Sequence, residues 1–191
     1  LQPGGRFLDV GLGAGQFINS VAASGCFEAV HGADPFRFAK YLELSSSIDR
    51  ADASVAELPY PDDPFDVVTC MEVLEHVPDE IFELGLSELR RVCRGQLITT
   101  VPFEEPEPIY SGHRRRFESE DILRVFPRAE RVLLDRPGMS WAVMEEWPVG
   151  PFPGGSPLRL AAVEAVLDAQ RRYPEQAESW SGRLRRSRTG R

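Results

Sequence analysis

The chain has 191 residues, a net charge of −8 and an apolar fraction of 42%. These values suit one globular domain with a short appendage, disfavour wrapping of a nucleic-acid backbone, and come with no apolar run of the roughly 18 residues a membrane span needs. The three cysteines, Cys26, Cys70 and Cys93, form no C-x-x-C pair, so a disulfide framework is not expected and a reducing, cytoplasmic setting is, with each thiol a small buried hydrophobe.

The N-terminal LQPGGRFLDV has neither the basic region nor the apolar core of a signal peptide. It leads directly into the first β-type run, RFLDV at 6–10, and a helical pattern follows at 14–24. The next β-type runs are EAVHGAD at 28–34, a short strand at Ile48–Ala51, FDVVTCM at 65–71 and GQLITTV at 95–101. Helical patterns occupy 36–46 and Asp79–Val92; in the latter, Ile81, Leu84, Leu89 and Val92 fall near helical spacing behind the Pro78-Asp79 start. Strands alternating with helices predict a mostly parallel, doubly wound α/β sheet with helices on both faces.

After Pro102 the pattern changes. PFEEPEP reads as a loop, Ser119 and 120–126 as a capped helix, and 130–135 and 141–146 as two strands paired through the RPGMS turn. A core domain is therefore expected over residues 1–149. Residues 150–191 are expected to hold a GPFPGGSP linker, a helix over 158–172 and a loose tail. That tail carries Arg183, Arg185, Arg186, Arg188 and Arg191 with no acid after residue 182.

The stretch FLDVGLGAGQF, residues 7–17, places Gly11, Gly13 and Gly15 at alternate positions after the first strand, with Asp9 two residues before them. Glycine is needed where φ is positive or where a ligand presses on the backbone, and here the glycines close a strand and open a helix whose first N–H groups lack partners. A dinucleotide loop, G-x-G-x-x-G, would need its third glycine at Gln16. An acid at Asp9 would repel a pyrophosphate but suits a cationic ligand. A tight turn with no ligand is the alternative. Asp34 ends the second strand, where a carboxylate can accept from both hydroxyls of a ribose. Asp52-Ala53 follows the third, where an acid can accept from an adenine amine and backbone N–H groups can reach the ring. Glu72 follows the fourth and faces the same end of the sheet.

The set FLDVGLGAGQF, GADP, DASVAELPYPDDPFDVV and EVLEHV resembles class I S-adenosylmethionine-dependent methyltransferases, closely over 5–101 and loosely beyond. The resemblance implies a Rossmann-like, seven-stranded sheet with one antiparallel strand. It implies S-adenosylmethionine as cofactor, with Asp9, Gly11, Gly13 and Gly15 at its methionine part, Asp34 and the adjoining Pro35 of GADP at the ribose, Asp52 and Ala53 at the adenine, and Glu72 lining the cleft. The family has helices before the first strand that form a lid, and these are expected to be missing here.

Methyl transfer from a sulfonium is an in-line displacement that depends mostly on alignment. A base is needed only where an acceptor hydroxyl must lose its proton. His76, in EVLEHVPD, is the candidate base; the alternative is a structural histidine at a helix entry. The set Glu72, Glu75, His76 and His113 resembles the metal-binding set of small-RNA 2′-O-methyltransferases, and similar E-x-x-E-H segments occur in quinone-biosynthesis O-methyltransferases. Two carboxylates and two imidazoles can ligate a divalent ion, although the gap from His76 to His113 is shorter than in the RNA enzymes and a metal is not the expectation. Arg114, Arg115 and Arg116 are expected to be a solvated turn paired with Glu118 and Glu120. Of Trp141, Trp147 and Trp180, the first two are expected in the core. The leading expectation is O- or N-methylation of a small metabolite by a monomer or homodimer. The alternatives are a metal-dependent RNA 2′-O-methyltransferase and a non-catalytic module of the same fold. A nicotinamide oxidoreductase is disfavoured by Asp9 and Gln16.

Overall fold

The computed structural model describes residues 5–37, 43–136 and 139–147. The elements run β1 (Arg6–Val10), α1 (Gln16–Ser24), β2 (Ala29–Ala33), β3 (Ile48–Ala51), β4 (Phe65–Met71), α2 (Asp79–Val92), β5 (Cys93–Phe103), α3 (Ser119–Val125), β6 (Glu130–Arg136) and β7 (Met139–Glu146). One seven-stranded sheet has the order β3-β2-β1-β4-β5-β7-β6. The strands β1 to β5 pair in parallel, and β7 is antiparallel to both β5 and β6. The expected single antiparallel strand is thus β7. The strand order reverses between β1 and β4, and in open sheets of this kind the ligand crevice lies at the carboxyl ends of such a pair.

Alternating side chains send the central strands into two cores. Phe7 and Val67 pack with Ile18 and Val21 of α1 on one face. Leu8, Val10, Val68 and Cys70 pack with Leu86, Leu89 and Val92 of α2 on the other. The near-continuous burial of FDVVTCM is that of a strand covered on both faces.

The apolar stripe of α2 is Phe82, Leu86, Leu89 and Val92; it shares Leu89 and Val92 with the stripe the sequence suggests, whereas Ile81 is only partly buried against the core. Leu84 is 57% exposed, because Gly85 is turned inward, where a Cβ would come within 3.1 Å of Val55 Cγ1. That close approach rotates the helix face by one residue. Leu89 is fully buried. Leu89→Ala is expected to cost about 2–5 kcal/mol of stability by leaving a cavity between helix and sheet, read from the denaturant midpoint at an unchanged slope.

Other local differences have equally simple causes. The first helix starts at Gln16 because Gly15 is left-handed, at φ 77°. The α3 cap is Glu118, which forms a reciprocal capping box with Asp121, so Ser119 is the first helical residue. Cys70 and Cys93 are buried, but Cys26 is exposed, because it sits just beyond the glycine that ends α1. The predicted helix over 36–46 falls partly, and the linker, C-terminal helix, arginine tail and Trp180 wholly, outside the described residues. No helix among the described residues is long and apolar enough to cross a membrane.

Candidate functional site

The glycine turn leaves β1 at Val10 and is pinned to the neighbouring strand by Gly11 N–H donating to Ala33 O at 2.8 Å. Gly11 has φ +85°, and a Cβ there would lie 2.2 Å from Val73 Cγ2. Gly13 has φ +49° but nothing within 4 Å of a modest side chain's first carbon. Crowding by protein atoms therefore explains the glycine at 11, whereas at 13 backbone conformation alone demands it and open space remains above the turn.

Asp34 ties this turn to the strand beside it. Its buried carboxylate accepts from Leu12 N–H at 2.9 Å through Oδ2 and from Phe36 N–H at 2.8 Å through Oδ1. Each oxygen keeps a second acceptor position, the number a vicinal diol would use. Pro35 beside it is exposed. Asp9 lies opposite Thr69 in the β1–β4 register and accepts from Thr69 Oγ1 at 2.7 Å. Burial pushes its carboxyl up to about 7 against the Thr69 hydrogen bond, and the Asp34 charge acts in the same direction as burial.

Asp52 is placed differently from expectation. Arg37 donates to both of its oxygens, at 3.1 Å each, and Arg50 pairs with it as well. The Arg37 hydrogen bond holds the carboxyl below its usual range, and two guanidiniums occupy three of its four acceptor positions, leaving one on Oδ2. Ala53 packs against the α2-side core. A cavity of about 400 Å³ opens beside the turn between Gly13, Gly15, Phe36, Arg37 and Arg50. Among the described residues its lining also includes Leu12 and Ile48, but none of Asp9, Asp34, Glu72 or His76.

Glu72 adopts φ 55°, a left-handed conformation rare for a residue with a side chain. Two contacts hold it there: Thr100 Oγ1 donates to Oε1 at 2.7 Å, and Trp141 Nε1 donates to Oε2 at 2.9 Å. Trp141 is thereby a hydrogen-bond donor to the cleft acid as well as a packing residue. Such strain at the end of the strand beside the switch point is typical of functional sites.

Next along the chain, the segment after β5 folds back over residues 72–79. Arg114 N–H donates to Glu75 O at 2.7 Å. Arg115 donates to Leu74 O and Val77 O, pairs with Asp79 at 2.6 Å, and lies 4.0 Å from the centre of the Phe82 ring. Arg115 is thus a staple between two loops, which corrects the expected solvated pairing with Glu118 and Glu120. Arg116 does lie 3.6 Å from Glu118.

This stapling brings His76 and His113 to a ring separation of 4.9 Å. His76 Nδ1 lies 2.9 Å from Gly112 O. A carbonyl only accepts, so the proton belongs on Nδ1 and the Nε2 lone pair is free. His113 Nδ1 lies 2.6 Å from Glu105 Oε2, which fixes the same tautomer by the same logic. Glu105 Oε1 also accepts from Tyr110 N–H. Glu75 is fully buried, and its carboxylate oxygens make no side-chain hydrogen bond, with only its own backbone N–H beside them. Burial pushes it up to about 8, and Glu72 and Glu105 act in the same direction. Of the four residues grouped from the sequence, Glu75, His76 and His113 converge, whereas Glu72 is held away by Thr100 and Trp141. Sequence reading missed Thr69, Glu105 and the polar role of Trp141. The one signal for Glu105 was its place in an acid-rich loop eight residues before His113.

Comparison with known proteins agrees with this geometry. A family model described as "Methyltransferase domain" matches residues 1–118. The ubiquinone biosynthesis O-methyltransferase of Hahella chejuensis is 44% identical over 84 residues, which are 40% of this chain and 34% of that protein. The chain thus spans about a third of the length of the curated relatives it matches. Among solved structures, the Burkholderia thailandensis 1,6-didemethyltoxoflavin-N1-methyltransferase with bound S-adenosylhomocysteine aligns with a TM-score of 0.61 at 17% identity, over 75% of this chain and 70% of that one. The [4+2]-cyclase SpnF aligns with a TM-score of 0.59 at 22% identity, over 78% of both chains. At these identities the structural likeness shows the fold alone. The match over most of the sheet, joined to the glycine turn, the strand order and the single antiparallel strand, identifies the chain as a member of the methyltransferase-domain family with the class I, S-adenosylmethionine-dependent fold.

Proposed function

We propose that this protein transfers the methyl group of S-adenosylmethionine to a hydroxyl oxygen of a small molecule. The observation that carries the reading is the pairing of a preorganised glycine turn, braced by Asp34, with a histidine whose Nε2 lone pair is free at the same end of the sheet. In this reading Asp34 accepts from the ribose hydroxyls with its two remaining positions. Asp9 supplies negative charge towards the cationic methionine part. Gly11, Gly13 and Gly15 let the backbone approach, and Ala53 lies beneath the adenine. Asp52 contributes through its arginine pairs rather than through a free carboxylate. Glu72 walls the cleft.

The displacement forms an oxygen–methyl bond as the sulfur–methyl bond breaks, and the sulfur keeps the electron pair. The acceptor oxygen must give up a proton, and His76 acts on that oxygen through Nε2. An amine acceptor would make this poised imidazole unnecessary, which favours oxygen over nitrogen. The name of the O-methyltransferase relatives points the same way. A net charge of −8 speaks against a phosphodiester acceptor.

The test is calorimetric titration of the 191-residue chain with S-adenosylmethionine, followed by transfer of a labelled methyl to a panel of small phenols, catechols and amines. Binding together with labelled product on a hydroxyl compound is expected. An absence of binding would overturn the reading.

The raised Asp9 carboxyl gives this binding a pH signature. Below about 7 the free protein holds Asp9 neutral, whereas a neighbouring sulfonium favours the carboxylate, so binding releases a proton. Affinity for S-adenosylmethionine is therefore expected to rise with pH, by up to about tenfold per unit, until the free group has ionised near 7. S-adenosylhomocysteine, without the sulfonium charge, should show a shallower slope, and Asp9→Asn should flatten both. Calorimetry in buffers of different ionisation enthalpy measures the proton release directly.

A further inference from the structure

We propose that this chain pairs with a second copy of itself along β6, antiparallel and about a two-fold axis, so that two sheets join edge to edge. β6 ends the sheet, with β7 on one side of it; among the described residues no strand pairs with its other side. The direction of its backbone groups follows from the ladder. Glu72 N–H donates to Thr100 O at 3.1 Å, so Thr100 turns its backbone groups towards β4. Successive residues of a strand alternate in this respect, so Pro102 also faces away from β7, as suits a residue without an N–H. Pro102 lies opposite Trp141, and Trp141 therefore bonds to its other neighbour, Leu134. Leu134 and Val132 then bond inward, whereas Arg131, Leu133 and Asp135 present their N–H and C=O groups to the open edge.

These three residues are complementary to themselves. In antiparallel pairing centred on Leu133, Arg131 meets Asp135 of the second copy, and Leu133 meets Leu133. Each such pair exchanges two N–H···O bonds. The strand sequence, Glu-Arg-Val-Leu-Leu-Asp-Arg, sets acid against base and aliphatic against aliphatic throughout this register. A slip by two residues would set Leu133 against Arg131 or Asp135, so the charges specify the alignment. Both charged side chains have capacity left for the contact. Arg131 gives one of its several donors to Phe126 O at 2.8 Å, and Asp135 accepts from Ser140 Oγ at 2.9 Å with further lone pairs remaining.

The exposed surface agrees. Leu133 is 56% and Leu134 42% exposed, on a strand whose register with β7 is unbroken. Sheets ordinarily protect such an edge with lysine, proline or a bulge. Pairing covers Leu133 with Leu133 of the second copy on one face, and Leu134 with its Val132 on the other. The contact is isologous, so it closes at two copies. One strand edge is a small interface, and exchange between monomer and dimer in the micromolar range is expected. β5 and β7 stand between β6 and the β1–β4 crevice, and the dimer does not depend on the methyl-transfer reading.

The test is sedimentation velocity of the full chain across the micromolar range, with amide hydrogen exchange at the same concentrations. A shift from monomer to dimer with no larger species is expected, and amide protection at Arg131, Leu133 and Asp135 should grow in step. Leu133→Lys, at an exposed position, should weaken dimerisation by about tenfold or more, because two ammonium groups would meet on the axis. Arg131→Asp and Asp135→Arg should each do the same, and the double variant Arg131→Asp/Asp135→Arg should return to within about threefold of the parent chain. A loss caused by misfolding would not be undone by the second substitution. A monomer at every concentration, a dimer unmoved by Leu133→Lys, or no recovery in the double variant would overturn the pairing. Should the variants fail to fold, the exchange pattern of the parent chain decides. Protection of the β6 amides that is independent of concentration, or protection that grows with concentration only elsewhere, would equally overturn it.

Discussion

Replacing His76 with alanine is expected to lower kcat for an oxygen acceptor by about 10²–10⁴-fold while leaving the affinity for S-adenosylmethionine within about twofold. The separation follows from the geometry. His76 is tied to the loop after β5 through Gly112 O and makes no hydrogen bond to the glycine turn or to Asp34. Its removal therefore leaves the cofactor seat intact. The part lost is the lone pair at Nε2 that takes the acceptor proton. A free base would tolerate His113→Ala with only a modest loss of kcat, because Glu105 and His113 merely pack beside it. Equal losses in kcat and cofactor affinity for His76→Ala would mean that the residue only braces the loop.

The order of strands and helices was legible because each element carries its own period. The runs at β1, β4 and α2 are read with their observed bounds, since a central strand is apolar throughout and a surface helix is not. The face of α2 was misread because Gly85 counts as a gap in a hydrophobic pattern, although in three dimensions it is the point of closest approach to Val55. The glycine turn and the acids at 9, 34 and 72 were visible because they follow strand ends at the reversal of the sheet. What each acid touches was not visible. Asp52 is taken by Arg37 and Arg50, and Glu72 is drawn to Trp141, 69 residues away. The Glu72 partners come from the register of β5 with β7, which no local pattern encodes, and the Asp52 partners from the path of the chain between β2 and β3. The meeting of His76 with His113 is equally non-local. It depends on Arg115 clamping one loop onto another, and an arginine in a run of three gives no sign of which one turns inward.

Asp34→Ala is expected to weaken S-adenosylmethionine binding by more than about 100-fold, beyond what a single typical hydrogen bond to ligand would suggest. A hydrogen bond to a charged group contributes about 1.5–3 kcal/mol, and Asp34 is proposed to accept two from the ribose. It also holds Leu12 N–H at 2.9 Å and Phe36 N–H at 2.8 Å, so alanine would leave a buried amide in the glycine turn without its acceptor and loosen the turn. Asp34→Asn separates these contributions. Its amide oxygen can keep one backbone bond, but its NH₂ group faces either an amide N–H or a hydroxyl and cannot accept from it. Asn should therefore lose most of the affinity while retaining more stability than Ala. Titration of each variant with S-adenosylhomocysteine and with adenosine checks the site, since both carry the ribose and only the first carries the amino-acid chain. A parallel loss for the two ligands is expected from a contact to the sugar. If adenosine bound both variants as well as it binds the parent chain, Asp34 would be a brace for the turn alone, and the ribose would have to be held by another group.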